Sequence, residues 1–219
     1  VEEGQKSGST VVEFDRVVFS YENKILDNFS SLVRRGDRVG IIGRNGSGKS
    51  TLLKLMLGEI SPDSGSVKLG TNLEVAYFDQ QRESLDSMKT VKDSVADGND
   101  YVQIGEERRH VVGYLGDFLF PPHYMNAKVS RLSGGEKNRL LLAKLFARPA
   151  NLLVLDEPTN DLDIETLELL EELLTDFRGT VVLVSHDRAF LDGIVTSTMV
   201  FEEDQGLKEY VGGYSAVSY

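Results

Sequence analysis

The sequence predicts an α/β fold built on a mostly parallel sheet, with a small antiparallel β region and a helical region attached. Three observations carry that expectation. Short apolar runs, among them Val39-Gly40-Ile41-Ile42 and Leu152-Leu153-Val154-Leu155, alternate with stretches of helical period, as buried parallel strands and their crossover helices do. The first of these runs leads straight into a glycine-rich loop and then a helix-forming segment. The second ends in two adjacent carboxylates, Asp156-Glu157.

Each element has its own local reason. Residues 1–9 are polar and contain Gly and Ser, and read as linker; a chain opening on Val1 rather than Met is expected to be a fragment of a longer protein. Residues 11–33 are rich in Val, Phe and Tyr with turn residues between short runs, which predicts a small antiparallel sheet and a β subdomain over about 10–37. A strand at 38–42, the glycine-rich loop and a helix at 49–57 follow. Pro62-Asp63-Ser64-Gly65 is a turn, and 66–69 and 73–78 are strand candidates. From about 81 to 124 the texture becomes polar and charged, which reads as short helices ending near Pro121-Pro122. With the next helix this makes an inserted helical subdomain of about 82–147. That helix opens at Ser133-Gly134-Gly135-Glu136, whose S-x-x-E spacing is that of a capping box, and runs to about 147. A buried strand at 152–155, an amphipathic helix at 164–177, a strand at 180–184 and a short helix after Asp187 complete the core.

The chemistry concentrates in Gly43-Arg44-Asn45-Gly46-Ser47-Gly48-Lys49-Ser50-Thr51, which fits G-x-x-x-x-G-K-[ST] between a strand and a helix. Glycines let successive N–H groups turn inward on a polyphosphate, and the positive end of the next helix favours the anion. Lys49 would reach the terminal phosphates and the Ser50 hydroxyl would sit on Mg²⁺. The loop therefore predicts a nucleoside triphosphate ligand and a P-loop NTPase core. An Asp closing a later strand holds Mg²⁺ in such folds, which selects Asp156, and Glu157 could polarise the attacking water as general base.

With both motifs in order, Leu132-Ser133-Gly134-Gly135-Glu136 resembles the signature motif of ABC ATPases, and the resemblance covers nearly the whole chain. It implies an adenine-stacking role for Tyr21, against the plainer reading of a strand aromatic on the core. Gln80 falls where the Q-loop glutamine would be, as a further Mg²⁺ and water contact. Asn160-Asp161-Leu162-Asp163 matches the D-loop, and His186 in Val184-Ser185-His186-Asp187 the switch histidine. The wording of Asp156-Glu157-Pro158-Thr159-Asn160-Asp161-Leu162-Asp163, of Gly134-Gly135-Glu136-Lys137-Asn138-Arg139 and of the segment 185–192 resembles the ABC-F class. Residues 114–120 and Gly212-Gly213-Tyr214 are similar to the second ATPase domain of that class's Uup-like branch. The resemblance implies ATP and Mg²⁺ as ligands and Mg-dependent hydrolysis. It also implies a head-to-tail nucleotide sandwich in which Ser133, Gly134, Gly135 and Glu136 act on a partner domain's nucleotide. Work on ribosomes or a ribosome-associated process, in the cytoplasm, would follow.

Bulk properties trim the alternatives. A net charge of −11 argues against a broad basic face gripping nucleic acid. With no cysteine there is neither a disulfide nor a thiolate metal site, and no apolar run approaches the roughly 18 residues of a membrane helix. The ATPase subunit of a membrane transporter shares the catalytic motifs and stands as the alternative. A GTPase is disfavoured because Asn23-Lys24-Ile25-Leu26 lacks the Asp of N-K-x-D and precedes the loop. An ATP-binding clamp without turnover is disfavoured by Glu157 and His186 together. His110 and His123 read as surface residues, Arg108-Arg109 as a solvated helix surface, and Glu165, Glu168, Glu171, Glu172 and Asp176 as the wet face of the helix opposite Leu167, Leu170 and Leu174.

Overall fold

The computed structural model describes residues 8–79, 83–104 and 106–217. In chain order the first half runs β1 (Thr10–Ser20), β2 (Lys24–Arg34), β3 (Arg38–Ile42), α1 (Lys49–Met56), β4 (Ser64–Leu69), β5 (Val75–Asp79), α2 (Val91–Ala96), β6 (Tyr101–Ile104), β7 (Glu107–His110) and α3 (Val111–Asp117). The second half adds α4 (Gly134–Phe146), β8 (Leu152–Asp156), α5 (Ile164–Asp176), β9 (Thr180–Val184), α6 (Arg188–Ile194), β10 (Ser197–Glu202) and β11 (Gly206–Val211).

The central sheet has six strands in the order β11-β10-β3-β9-β8-β5. Every pairing in it is parallel except the β10–β11 hairpin. Its two faces separate along the strands with period two. Leu153, Leu155, Val181 and Leu183 join one core with Leu140, Leu142, Leu170 and Phe190 of the helices α4, α5 and α6. Their neighbours Leu152, Val154, Val182 and Val184 join the other core, with Leu52, Leu55 and Met56 of α1 and Val12 and Phe14 of β1. Thus helices cover one face, while α1 and the antiparallel sheet β2-β1-β4 cover the other. Both faces exclude water, which is why these strands read as unbroken apolar runs.

Two sequence expectations need correction. The 81–124 region is not purely helical: β6 and β7 form an antiparallel hairpin pairing Tyr101 with His110. Tyr101-Val102-Gln103-Ile104 carries the alternation of a strand, with Val102 buried, but the run is short and was masked by the charges around it. Arg108 and Arg109 accordingly lie on a strand, not a helix. Arg108 covers the Tyr101 ring at 4.2 Å, and Arg109 pairs with Asp117 at 2.8 Å. His110 is exposed as expected, yet it also has a job, since its Nδ1 accepts from the Val112 N–H at the start of α3 (3.2 Å). The hairpin β10–β11 was also not foreseen; Asp204 and Gly206, both at positive φ, make its turn.

No described helix is long and apolar enough to cross a membrane.

Candidate functional site

Strand order places the chemistry. The strands β3, β9 and β8 are adjacent and parallel, so their carboxyl ends open on one edge, where α/β sheets hold ligands. Val184 of β9 is level with Ile41 of β3 and with Asp156 of β8. The glycine-rich loop, the Asp156-Glu157 pair and the Ser185-His186 turn are therefore neighbours, although about 140 residues of sequence separate the first from the last.

The loop is shaped by what it lacks. Gly46 and Gly48 adopt φ +79° and +115°, which L side chains resist. A Cβ on Gly48 would lie 2.5 Å from Ile25 Cγ2, and one on Gly43 would lie 2.4 Å from Ser47 Oγ. The Ser47 hydroxyl is buried with no hydrogen-bond partner among the described residues. The N-cap of helix α1 is Gly48, which offers no side-chain cap. Each other described α-helix has one, from Thr90, His110, Ser133, Asp163 and Asp187. The first N–H groups of α1 thus remain open at the loop, at the positive end of the helix.

Beside this loop lies a cleft of about 580 Å³ lined by Tyr21, Ile25, Asn45, Gly46, Gly48, Lys49, Ser50, Thr51, Asp156 and Glu157. Tyr21 presents an exposed ring, 60% accessible, braced edge-on against Phe19 at 4.9 Å. That leaves a face open to a planar ligand. Lys49 turns its ammonium onto the carbonyls of Gly43 and Arg44 and lies 3.3 Å from His186 Nε2. The same ring nitrogen is 3.0 Å from Glu157 Oε1. Lys49 can only donate and an ionised Glu157 can only accept, so the two make opposite demands on one nitrogen. A triphosphate drawing Lys49 away would leave His186 to Glu157.

Glu157 is held in the left-handed region at φ +48°, with its N–H on the Val184 carbonyl (2.8 Å) and its Oε2 accepting from the His186 N–H (3.4 Å). Strain of that kind in a non-glycine residue collects at functional sites. Burial pushes the Glu157 carboxyl above the ordinary glutamate range, against the pull of His186. Burial likewise lowers the Lys49 ammonium, opposed by Glu157 and Asp156. Proton affinities of an acid and a base therefore move toward each other within one cleft.

Asp156 receives a hydrogen bond from the Tyr77 hydroxyl at 3.2 Å. Tyr77 belongs to no sequence motif; on β5, Ala76 and Phe78 are buried while Tyr77 and Asp79 face the cleft. Among the described residues no group of three or more acids and histidines could hold a metal alone. Mg²⁺ does not need one, because it usually keeps several waters and takes phosphate oxygens plus one or two protein groups. Ser50 and Asp156, both on this cleft, fit that donor set. Gln80 lies outside the described residues.

The remaining motif residues line other surfaces in whole or part. Gly43 and Arg44 share a hollow with His186, and Asn45 lines both that hollow and the cleft. Gly134 and Gly135 line a separate groove with Asn160 and Asp161, and that groove shares no residue with the cleft. Its edge is fixed by the expected capping box: Ser133 Oγ accepts from the Glu136 N–H (3.2 Å), and Glu136 Oε1 from the Ser133 N–H (2.9 Å). The latter bond holds the Glu136 carboxyl below its usual range. Gly135 abuts Asp163, since a Cβ there would lie 2.8 Å from Oδ2. Asp163 in turn caps α5 through the Thr166 N–H (2.8 Å).

Comparison with known proteins sets this geometry in a lineage. A family model described as ABC transporter matches residues 26–160. The chain is 55% identical over 210 residues to an ATP-binding protein Uup of Haemophilus influenzae, covering 95% of this chain and 32% of that protein. It is 42% identical over 213 residues to the energy-dependent translational throttle protein EttA of the same organism, covering 97% and 38%. The chain thus spans about a third of the length of these relatives. Among solved structures, a dimeric ATP-binding cassette in a post-hydrolysis state bound to ADP and Pi superposes with TM-score 0.66 at 25% identity, over 91% of this chain and 98% of that one.

Proposed function

Since this chain belongs to the ABC family of ATPase domains, we propose that it works as one half of a head-to-tail nucleotide sandwich in an ABC-F type protein. The observation that carries this reading is the separation of the two grooves. The cleft with the phosphate loop and the groove with the signature residues have no lining residue in common, so neither is a complete reactive pocket. A facing module, from the same longer protein or a second copy, would bring its Ser133, Gly134, Gly135 and Glu136 equivalents over the γ-phosphate. Relatives three times the length of this chain have room for such a module.

Each side chain then has a task. Adenine stacks on Tyr21, and the N–H groups of 43–51 with the open end of α1 cradle the phosphates. Lys49 exchanges its loop carbonyls for phosphate oxygens. Ser50 and Asp156 hold Mg²⁺, which neutralises charge on the phosphates when bound, and Tyr77 orients Asp156. Glu157 accepts the proton of the attacking water, and His186 contacts the γ-phosphate from the end of β9. For Gln80, outside the described residues, the family resemblance implies a further metal and water contact. Closing on ATP and opening after hydrolysis would drive conformational change in the cytoplasm. The translational role named in EttA supports a ribosome-associated process as the target.

The sandwich is tested by dilution. MgATP should bind the isolated chain with measurable heat, and specific ATPase activity should fall as the protein is diluted through its self-association constant. Specific activity flat across that range, from a species shown to be monomeric by sedimentation, overturns the proposal.

A further inference from the structure

We propose that Tyr214 and Arg188 form a clamp that positions His186, an inference that rests on the assignment of His186 to the γ-phosphate. His186 stands in the turn between β9 and α6. The turn is tied locally, by Ser185 Oγ accepting from the Asp187 N–H (3.0 Å) and Asp187 Oδ1 from the Phe190 N–H (3.0 Å). Such ties fix the turn relative to α6, but they do not fix α6 itself. On its inner side, α6 is held by Phe190, Leu191 and Ile194 in the core.

Its outer side is held by the segment after β11. The Arg188 guanidinium lies over the Tyr214 ring at 4.3 Å. One turn further along the same helical face, Asp192 Oδ1 accepts from the Ser215 N–H at 3.0 Å. Between these contacts Gly213 packs so closely that a Cβ would lie 3.0 Å from the Asp192 Cα and 2.3 Å from its Oδ1. This segment is itself fastened to the central sheet, because the Gly212 N–H donates to the Thr196 carbonyl (2.8 Å) and Thr196 N–H to that of Arg38 (2.8 Å). Tyr214 and Arg188 line one hollow with His186, Gly43 and Arg44. The clamp therefore locks the first residue of α6 two positions from the histidine, and sets where Nε2 falls between Glu157 and Lys49. Tyr214 is a positioning residue: it acts on phosphate only through His186.

The test uses Tyr214→Ala and Tyr214→Phe at fixed protein concentration. Tyr214→Ala should lower kcat roughly two- to fivefold, the factor a surface cation–π contact is worth, with the KM for MgATP unchanged. Tyr214→Phe keeps the ring face and should restore kcat. In a His186→Ala background Tyr214→Ala should cost nothing further, since coupled residues do not add. The chain has three histidines, so His186→Ala identifies the ring-nitrogen NMR signal of His186 by difference. That signal should shift in Tyr214→Ala and return in Tyr214→Phe. An unmoved signal in Tyr214→Ala, an equal loss in the His186→Ala background, or failure of Phe to restore kcat overturns the clamp. Wild-type turnover by His186→Ala would instead sink the γ-phosphate assignment, and the NMR signal would still report whether Tyr214 places the ring.

Discussion

Replacing Gly48 with alanine adds one methyl group at the point where loop, helix and β2 meet. Two costs can be worked from the structure. The backbone stands at φ +115° and ψ 10°, and a left-handed conformation costs an L residue ~1–2 kcal/mol. The new Cβ would also sit 2.5 Å from Ile25 Cγ2, well inside the ~3.5–4.0 Å of favourable carbon contact, and overpacking of that kind costs ~1–3 kcal/mol. The sum is ~2–5 kcal/mol. If the loop yields, it leaves the phosphate-binding shape, and the cost appears as MgATP affinity weaker by roughly thirtyfold to a few thousandfold at ~1.4 kcal/mol per decade. If the loop holds, the same cost appears as lost stability. Gly46→Ala is the internal standard: it shares the positive φ but meets nothing within 4 Å, so it should cost only ~1–2 kcal/mol. Adding Ile25→Ala to Gly48→Ala should recover most of the steric part, Phe201 Cε1 at 3.3 Å being the remainder, and leave the dihedral part. The assay is isothermal calorimetry of MgATP with parallel thermal melts on both single variants, the double variant and Ile25→Ala alone. Gly48→Ala with wild-type affinity and wild-type melting, or Gly46→Ala as damaging as Gly48→Ala, would refute the reasoning.

Two further outcomes follow from Glu157. Glu157→Gln keeps the shape and an acceptor toward His186 but cannot take a proton, so turnover should fall ~10²–10⁴-fold while MgATP affinity holds and an ATP-dependent dimer accumulates; unchanged phosphate release would remove Glu157 from the base role. The pH profile of kcat/KM should be a bell narrowed from both sides. As the proposed base Glu157 must be ionised and its pKa is raised by burial, so activity should be lost as pH falls through a value above the ordinary ~4.3. As the proposed phosphate ligand Lys49 must be protonated and its pKa is lowered by burial, so activity should be lost as pH rises through a value below the ordinary ~10.4. An acid limb at the ordinary glutamate value, or no change of that limb in Glu157→Gln, contradicts the assignment.

What was legible in the sequence was whatever a contiguous run encodes. The buried strands at 38–42, 152–155 and 180–184 announced themselves because both faces are dry, and the capping box because two polar side chains satisfy each other at fixed spacing. The phosphate loop needs glycines at set positions, two of which the structure puts at positive φ. What stayed hidden depends on strand order. Tyr77 meets Asp156 only because β5 lies beside β8; for His186, which the resemblance already set at the switch position, only the direct contact with Lys49, made because β9 lies beside β3, was out of reach. The hairpin of β6 and β7 was missed for a different reason. Four-residue strands carry too few alternations to stand out among salt-bridged charges, and Arg109–Asp117 and Lys92–Asp100 supply those charges.

The two helix ends that matter divide the work between chain and ligand. At α4 the terminus is already finished: Ser133 and Glu136 satisfy each other, and a Cβ on Gly135 would press on the Asp163 carboxylate. The Ser133 oxygen accepts from Glu136, yet its own hydrogen can still be donated outward, so capping and presentation to a partner's phosphate are compatible in one hydroxyl. At α1 the terminus is unfinished, with glycine where every other described α-helix has a capping side chain. In the proposed sandwich a triphosphate would complete it. One end is satisfied within the chain, and the other would gain its missing partners on binding. A half-site built this way would meet its complement with a preformed surface on one side and a nucleotide-dependent surface on the other, so that binding energy would control association without remodelling the core.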